Sequence, residues 1–230
     1  MIFTGVLVNF AAVVAGSLIG LFFKDKLKQR YHTALIDAIA LGVAAIGASY
    51  TIKTQNILVM MVSLIIGTLA GTFLKINDRL DSFGERMKDR MKIAEGSFSE
   101  GFAGASILFC VGSMAILGCI ESGLNNNHTI LLTKSIMDGV TSIFLASALG
   151  AGVLFSAGSV LVYQGILVLL ASLLSGLLGA DAVNEMSAVG GVILLGIAVN
   201  MLGIKKIKAA DMVLSLFLPI AVLPLIKLLS

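Results

Sequence analysis

Along the 230 residues of the chain, apolar positions gather into eight long runs separated by short polar stretches. The runs are Phe3 to Phe23, Thr33 to Ile52, Ile57 to Leu74, Gly101 to Ile120, Ile130 to Gly150, Leu154 to Leu178, Met186 to Leu202 and Ala209 to Ile226. Most approach the roughly 20 residues a helix needs to cross about 30 Å of hydrocarbon. The pattern predicts an all-α, polytopic integral membrane protein with about eight transmembrane helices. Only Leu149-Gly150-Ala151-Gly152-Val153 joins the fifth and sixth runs, breakers with no polar loop, so a re-entrant hairpin is the alternative there. After the third run the period changes. Ile76, Leu80, Phe83, Met87 and Met91 recur at steps of four, three, four and four among charged residues, which predicts an amphipathic helix lying in the headgroup layer.

The runs repeat. Ala40-Leu41-Gly42-Val43-Ala44-Ala45-Ile46-Gly47 returns as Val189-Gly190-Gly191-Val192-Ile193-Leu194-Leu195-Gly196, and the same displacement of 149 positions carries Gly16 onto Gly165. Three spans then occur twice with two spans between them, so the second triplet enters the membrane from the opposite side, an architecture found in many secondary transporters. The implied organisation is a first three-helix repeat over 1–75, a cytoplasmic amphipathic helix and linker over 76–99, a central helix pair over 100–152 and a second, inverted repeat over 153–230.

Composition adds weight to the membrane reading: 58% of residues are hydrophobic and 13% charged, with a mean hydropathy of +1.04. A single soluble core of this size cannot hide that much apolar surface. Positive charge is concentrated in particular loops, with only Lys53, Lys134 and Lys227 elsewhere. Lys24, Lys26, Lys28 and Arg30 follow the first run, Lys75, Arg79, Arg86, Lys88, Arg90 and Lys92 the third, and Lys205, Lys206 and Lys208 the seventh. With eight spans these loops share one side, so the positive-inside rule puts them in the cytoplasm, with both termini outside. The net charge of +3 is then a topology signal, and nucleic acid is not an expected partner. The first run has neither a basic leader nor a small-residue cleavage motif and reads as a retained helix.

No catalytic constellation is visible, so the expectation is not an enzyme, with no cofactor and no metal site. His32 and His128 fall in loops at opposite faces, and Cys110 and Cys119, nine residues apart on one predicted helix, lie about 13 to 14 Å apart along its axis, too far to bridge. Charge inside the spans is more informative. A lone ionised side chain near a span's centre costs about 2.5 to 3.5 kcal/mol on insertion scales, so it normally faces a cavity or a partner. Lys134 and Asp138 stand four apart in the fifth run, on one helical face, near Ser135, Thr141 and Ser142. Asn9, Gln164 and Asn200 are amides within spans that need hydrogen-bond partners, and Ser113 adds a hydroxyl to a small-residue stretch of the fourth run. Each has a structural alternative: an ion pair locking helices, or an interhelical bond. Asp37 reads as a snorkelling or capping charge, and Asp211 as a helix N-terminal carboxylate beside Lys208. Under the strict offset Asn9 maps to Gly158 and not to Gln164, so the repeat predicts no symmetric polar site.

The run Gly104-Ala105-Ser106-Ile107-Leu108-Phe109-Cys110-Val111-Gly112-Ser113-Met114-Ala115-Ile116-Leu117-Gly118, then Glu121-Ser122-Gly123-Leu124, resembles the signature of the bacterial YdfK/YqgA membrane proteins, the domain of unknown function numbered 554. So do Leu132-Thr133-Lys134-Ser135-Ile136-Met137-Asp138-Gly139 and Tyr163-Gln164-Gly165, and the resemblance spans nearly the whole chain. It implies a bacterial inner-membrane protein and leaves mechanism to the residues. From those, the expectation is a secondary transporter of a small polar or ionic solute, with Na+ or H+ as the coupling ion and Asn9, Ser113, Lys134, Ser135, Asp138, Thr141, Ser142, Gln164 and Asn200 as its binding residues. A passive channel and a non-transporting scaffold are the alternatives. Expected partners are membrane lipid, the solute and a second copy of the chain in a dimer.

Overall fold

Each apolar run contains helix in the computed structural model, which describes residues 1–24, 29–79, 82, 86, 98–171, 173 and 179–229. In order these are α1 (Thr4–Lys24), α2 (Gln29–Thr51), α3 (Ile57–Phe73), α4 (Phe98–Val111), α5 (Ser113–Asn125), α6 (Thr129–Leu149), α7 (Gly152–Leu169), α8 (Ala180–Met201), a 3-10 helix (Ala209–Leu216) and α9 (Pro219–Leu229). No strand occurs among the described residues. Most of the amphipathic segment 76–93 lies outside them.

Against the expected eight or so spans, five helices among the described residues are long and apolar enough to cross a membrane, or seven if each of two bent pairs forms one span. The fourth run is one such pair, α4 and α5 bent by 58° where Gly112 takes an extended conformation at φ −65°, ψ 145°. The last run is the other, bent by 53° between the 3-10 helix and α9. Pro219 explains that break: it offers no N–H to bond back and drives the preceding residue out of the helical region. The third run, α3, has 17 residues. At 1.5 Å per residue that is about 26 Å, short of the hydrocarbon thickness. At the junction suspected of forming a re-entrant hairpin, α6 and α7 are both long helices, and the chain turns between them at Gly150 with φ +80°, a conformation natural to glycine.

Small residues set how the helices pack, since lipid supplies no hydrophobic drive and close contact must. A β-carbon on Gly16 would sit 2.2 Å from the Gly139 carbonyl oxygen, and one on Gly20 2.2 Å from that of Ile143, so α1 lies backbone to backbone on α6. Gly5 meets Leu131 and Gly20 meets Ala146, so both helices ascend together and run parallel. α4 and α7 are also parallel, with Gly152 against Phe98 and Ser106 bonded to Ser159 at 3.0 Å. α2 and α8 are antiparallel: Gly47 and Gly191 touch, while Thr54 lies at Glu185. α3 and the 3-10 helix are antiparallel too, through Gly67 on Ser215 and Gly71 on Asp211.

The core joins α1, α2, α4, α6, α7 and α8 through Val13, Val43, Phe109, Leu145, Val153 and Ile193. Outward faces stay apolar: Ile136 on α6 is 71% exposed and Leu69 on α3 is 66% exposed. An apolar core inside an apolar exterior is the arrangement a bilayer requires, in which backbone polar groups are satisfied within each helix.

Candidate functional site

Helix α6 sorts its side chains by period. Lys134, Ser135, Asp138 and Ser142 point inward and are buried, while Ile136, Met137, Val140 and Phe144 are exposed on the lipid side. The four-residue spacing stacks Lys134 over Asp138, and the Lys134 ammonium bonds Asp138 Oδ2. Both side chains are shielded, at 7% and 10% exposure. Beyond the pair, α1 and α7 complete a cluster. Asn9 Nδ2 donates to Asp138 Oδ2 at 3.0 Å and to Gln164 Oε1 at 3.3 Å, and neither amide side chain has any exposed surface. The Lys134 ammonium also lies 5.9 Å from the centroid of the Phe109 ring on α4.

The cluster is neutral as a whole. Separately, each charge would be strongly disfavoured here, and removing either partner strands the other. Hydrogen bonding is nonetheless incomplete: Asn9 Oδ1 and Gln164 Nε2 are buried without a partner among the described residues. Unpaired buried polar atoms are uncommon and each calls for an explanation. Here they comprise one free acceptor and one free donor beside a charged pair.

Close by is the break between α4 and α5. A β-carbon on Gly112 would lie 2.8 Å from the Tyr50 hydroxyl of α2, and Phe109 of α4, three residues before Gly112, has its ring centroid 5.9 Å from the Lys134 ammonium. The first turn of α5 has no side-chain cap from Gly112.

Of the expected binding residues, the structure therefore brings together Asn9, Lys134, Asp138 and Gln164. Ser135 and Ser142 flank the pair, but their hydroxyls donate to Leu131 and Gly139 carbonyls of their own helix, both at 2.7 Å. Thr141 is half-buried on α6. Ser113 opens α5 directly after the Gly112 break, and its side chain lies outside the described residues. Asn200 belongs elsewhere: its amide donates to the Ile207 carbonyl at 2.7 Å and accepts from the Ile207 N–H at 2.6 Å, clamping the loop after α8. That double bond engages both ends of the amide.

Two buried carboxylates play a larger part than sequence suggested. Glu185, 1% exposed, accepts from Thr54 Oγ1 at 2.6 Å and from the N–H groups of Gln55 and Asn56 at 2.6 and 3.0 Å, pinning the α2–α3 loop to α8. It stands one position before the apolar run that begins at Met186. Its only sequence signal is polarity facing the polar Thr54-Gln55-Asn56 stretch 130 residues away. Asp211 is also buried and accepts from the Asn77 N–H at 2.7 Å, while Lys208 bonds Asp78 at 2.9 Å. That bond and the ammonium charge hold the exposed Asp78 carboxyl below the usual aspartate range. Asp37 is exposed on α2. Cys110 and Cys119 are free thiols on either side of the Gly112 break, and no group of three His, Cys, Asp or Glu that could hold a metal occurs among the described residues.

Long apolar helices and charge buried between them define a polytopic helical membrane protein. The chain belongs to the family described as "Protein of unknown function (DUF554)", whose profile matches residues 4–223. It is 34% identical over 221 residues to the "Uncharacterized membrane protein YdfK" of Bacillus subtilis (strain 168), covering 94% of this chain and 93% of that one. It is 26% identical over 219 residues to the "Uncharacterized protein YqgA" of Escherichia coli (strain K12), covering 93% of each. No solved structure matches the chain.

Proposed function

We propose that the protein is a secondary transporter of a small polar or ionic solute, with Asn9, Lys134, Asp138 and Gln164 at its binding site. One observation carries the reading: a buried Lys–Asp pair, touched by two amides that each keep an unpartnered polar atom, lies where α1, α6 and α7 meet beside a broken span. Transporter sites are commonly built from such discontinuous helices and paired intramembrane charges. A scaffold would use the same bonds to hold helices together, but it gives no reason to leave an acceptor and a donor unpaired beside a buried ion pair.

Helix directions support an inverted repeat. The repeat partners α2 and α8 run antiparallel, as do α3 and the 3-10 helix, which is the relation an inverted repeat requires. The parallel pair α1 and α6 has its counterpart in α7 and α4. Lys24 at Gly150 and Lys208 at Asp78 lie toward the ends of α1 and α3 that carry the basic loops, and the positive-inside rule makes that end cytoplasmic.

The test is thermal stabilisation of the detergent-purified protein by a panel of amino acids, organic acids and inorganic ions, with Asp138→Asn in parallel. A ligand that binds the folded state raises apparent stability. Stabilisation of the wild type that is lost in Asp138→Asn is the expected result. A panel without effect, with Asp138→Asn merely less stable, contradicts the site and makes the pair structural.

A further inference from the structure

Beyond Phe73 the chain turns where Lys75 takes φ +53°, and two polar bonds then fix its course. The Asn77 N–H donates to the buried Asp211 carboxylate at 2.7 Å, and the Lys208 ammonium donates to Asp78 at 2.9 Å. Partners 134 and 130 positions away thus hold this segment against the start of the 3-10 helix. The turn leaves an open cavity of about 350 Å³, lined by Lys75, Asp78, Arg79, Ser82 and Arg86. That volume lies within the range of small-molecule sites, about 300 to 1,000 Å³.

Its charge is one-sided. Asp78 is the only carboxylate among the described lining residues, and Lys208 already neutralises it, which leaves the positive charges of Lys75, Arg79 and Arg86. No ion pair among the described residues engages these three side chains, and all three are exposed. Like charges gathered round a hollow in low-dielectric protein raise the local concentration of anions. Two guanidiniums and an ammonium suit phosphate oxygens, arginine through paired N–H bonds and lysine as a point charge. Ser82 adds a hydroxyl to the same wall.

Position separates a lipid from a soluble phosphate compound. Lys75 follows the last residue of α3 by two positions, and the outward side of α3 is apolar at that end: Leu69 is 66% and Phe73 86% exposed, one turn apart on the same face. Focused charge attracts any phosphate, whereas an apolar strip leading up to it adds contact only for a ligand with hydrocarbon chains. Anionic lipids of the cytoplasmic leaflet attract basic segments that flank a span, and these side chains stand in that position at the end that carries the basic loops. We propose that the cavity binds the phosphate headgroup of an anionic phospholipid, with its acyl chains along Leu69 and Phe73. The bound lipid bridges Lys75, Arg79 and Arg86, and through the Asn77–Asp211 and Asp78–Lys208 bonds it fastens α3 to the 3-10 helix. The proposal stands apart from the transport reading, since no residue of the buried cluster takes part.

The experiment is native mass spectrometry of the purified full-length protein, titrated in detergent with phosphatidylglycerol or with zwitterionic phosphatidylethanolamine carrying the same acyl chains. Wild type should bind phosphatidylglycerol at a half-saturating concentration about tenfold or more below that for phosphatidylethanolamine. The double variant Arg79→Gln, Arg86→Gln should lose that preference. The double variant Lys205→Gln, Lys206→Gln removes two exposed charges of the same end that do not line the cavity, and should keep it. Inorganic phosphate and glycerol phosphate, at the concentration that half-saturates with phosphatidylglycerol, should not displace the lipid. Equal binding of the two lipids by wild type overturns the proposal, as does a preference that survives the loss of both arginines. Equal losses in the two double variants would mean diffuse attraction and no site, and displacement by glycerol phosphate at matching concentration would mean a soluble ligand; either result also overturns it. Should the arginine double variant fail to fold, Arg79→Gln and Arg86→Gln alone decide the matter, each expected to weaken phosphatidylglycerol binding about fivefold.

Discussion

Asn9 on the first helix bonds Asp138 on the sixth across 129 positions of sequence, and the same amide nitrogen reaches Gln164 on the seventh. One uncharged side chain thus ties three helices to a single carboxylate. Asn9→Ala would remove both bonds, leaving Asp138 with Lys134 and Gln164 Oε1 without its donor. The expected loss is about 1 to 3 kcal/mol, read as a lowered melting temperature. Pairing it with Gln164→Ala in a double-mutant cycle should give a non-additive result; additivity would mean that the two amides do not interact.

Helix packing makes a prediction independent of the site. A β-carbon on Gly71 would come within 1.8 Å of the Asp211 carbonyl oxygen, whereas one on Gly42 would meet nothing within 4 Å. Gly71→Ala must therefore separate α3 from the 3-10 helix and should cost about 3 kcal/mol or more, with loss of monodisperse protein in size-exclusion chromatography. Gly42→Ala should stay within about 0.5 kcal/mol of wild type.

Glu185 should prove a larger determinant of stability than its position just ahead of an apolar run suggests. Glu185→Ala strands the Gln55 and Asn56 N–H groups and the Thr54 hydroxyl. A loss of about 2 to 4 kcal/mol is expected, with Glu185→Gln losing less because it keeps one acceptor. Limited proteolysis should cut the α2–α3 loop of Glu185→Ala first.

At the basic end, the Lys208–Asp78 bond has a definite pH dependence. Contact with Lys208 lowers the Asp78 carboxyl in the folded state. Its stabilisation is therefore present above the unfolded-state value and is lost as pH falls through the lower, folded one. Wild type should melt slightly above Asp78→Asn at neutral pH, and the two should converge on acidification. A difference that widened in acid would reverse the sign.

Much of this was legible in the sequence. Apolar run length gave the helices, and the four-residue spacing of Lys134 and Asp138 gave their pairing on one face of α6. The partnership of Asn9 with Gln164 was not readable, since the repeat offset carries Asn9 onto Gly158 and only tertiary packing brings the two amides together. The break at Gly112 is not readable either, because nothing in Val111-Gly112-Ser113 distinguishes a break from a close contact. Asn200, an amide inside an apolar run, must bond something, and its partner is the Ile207 backbone seven residues on. Long-range bonds to main-chain groups, like those of Glu185, leave no pattern in side-chain identity.

The most direct test of the transport account is solute uptake into proteoliposomes under imposed pH, Na+ and voltage gradients, comparing wild type with folded Asp138→Asn. The account predicts saturable, gradient-dependent accumulation of a small polar or ionic solute by the wild type and none above background by the variant. Equal uptake by the two proteins, or none by either across amino acids, organic acids and inorganic ions, would contradict it.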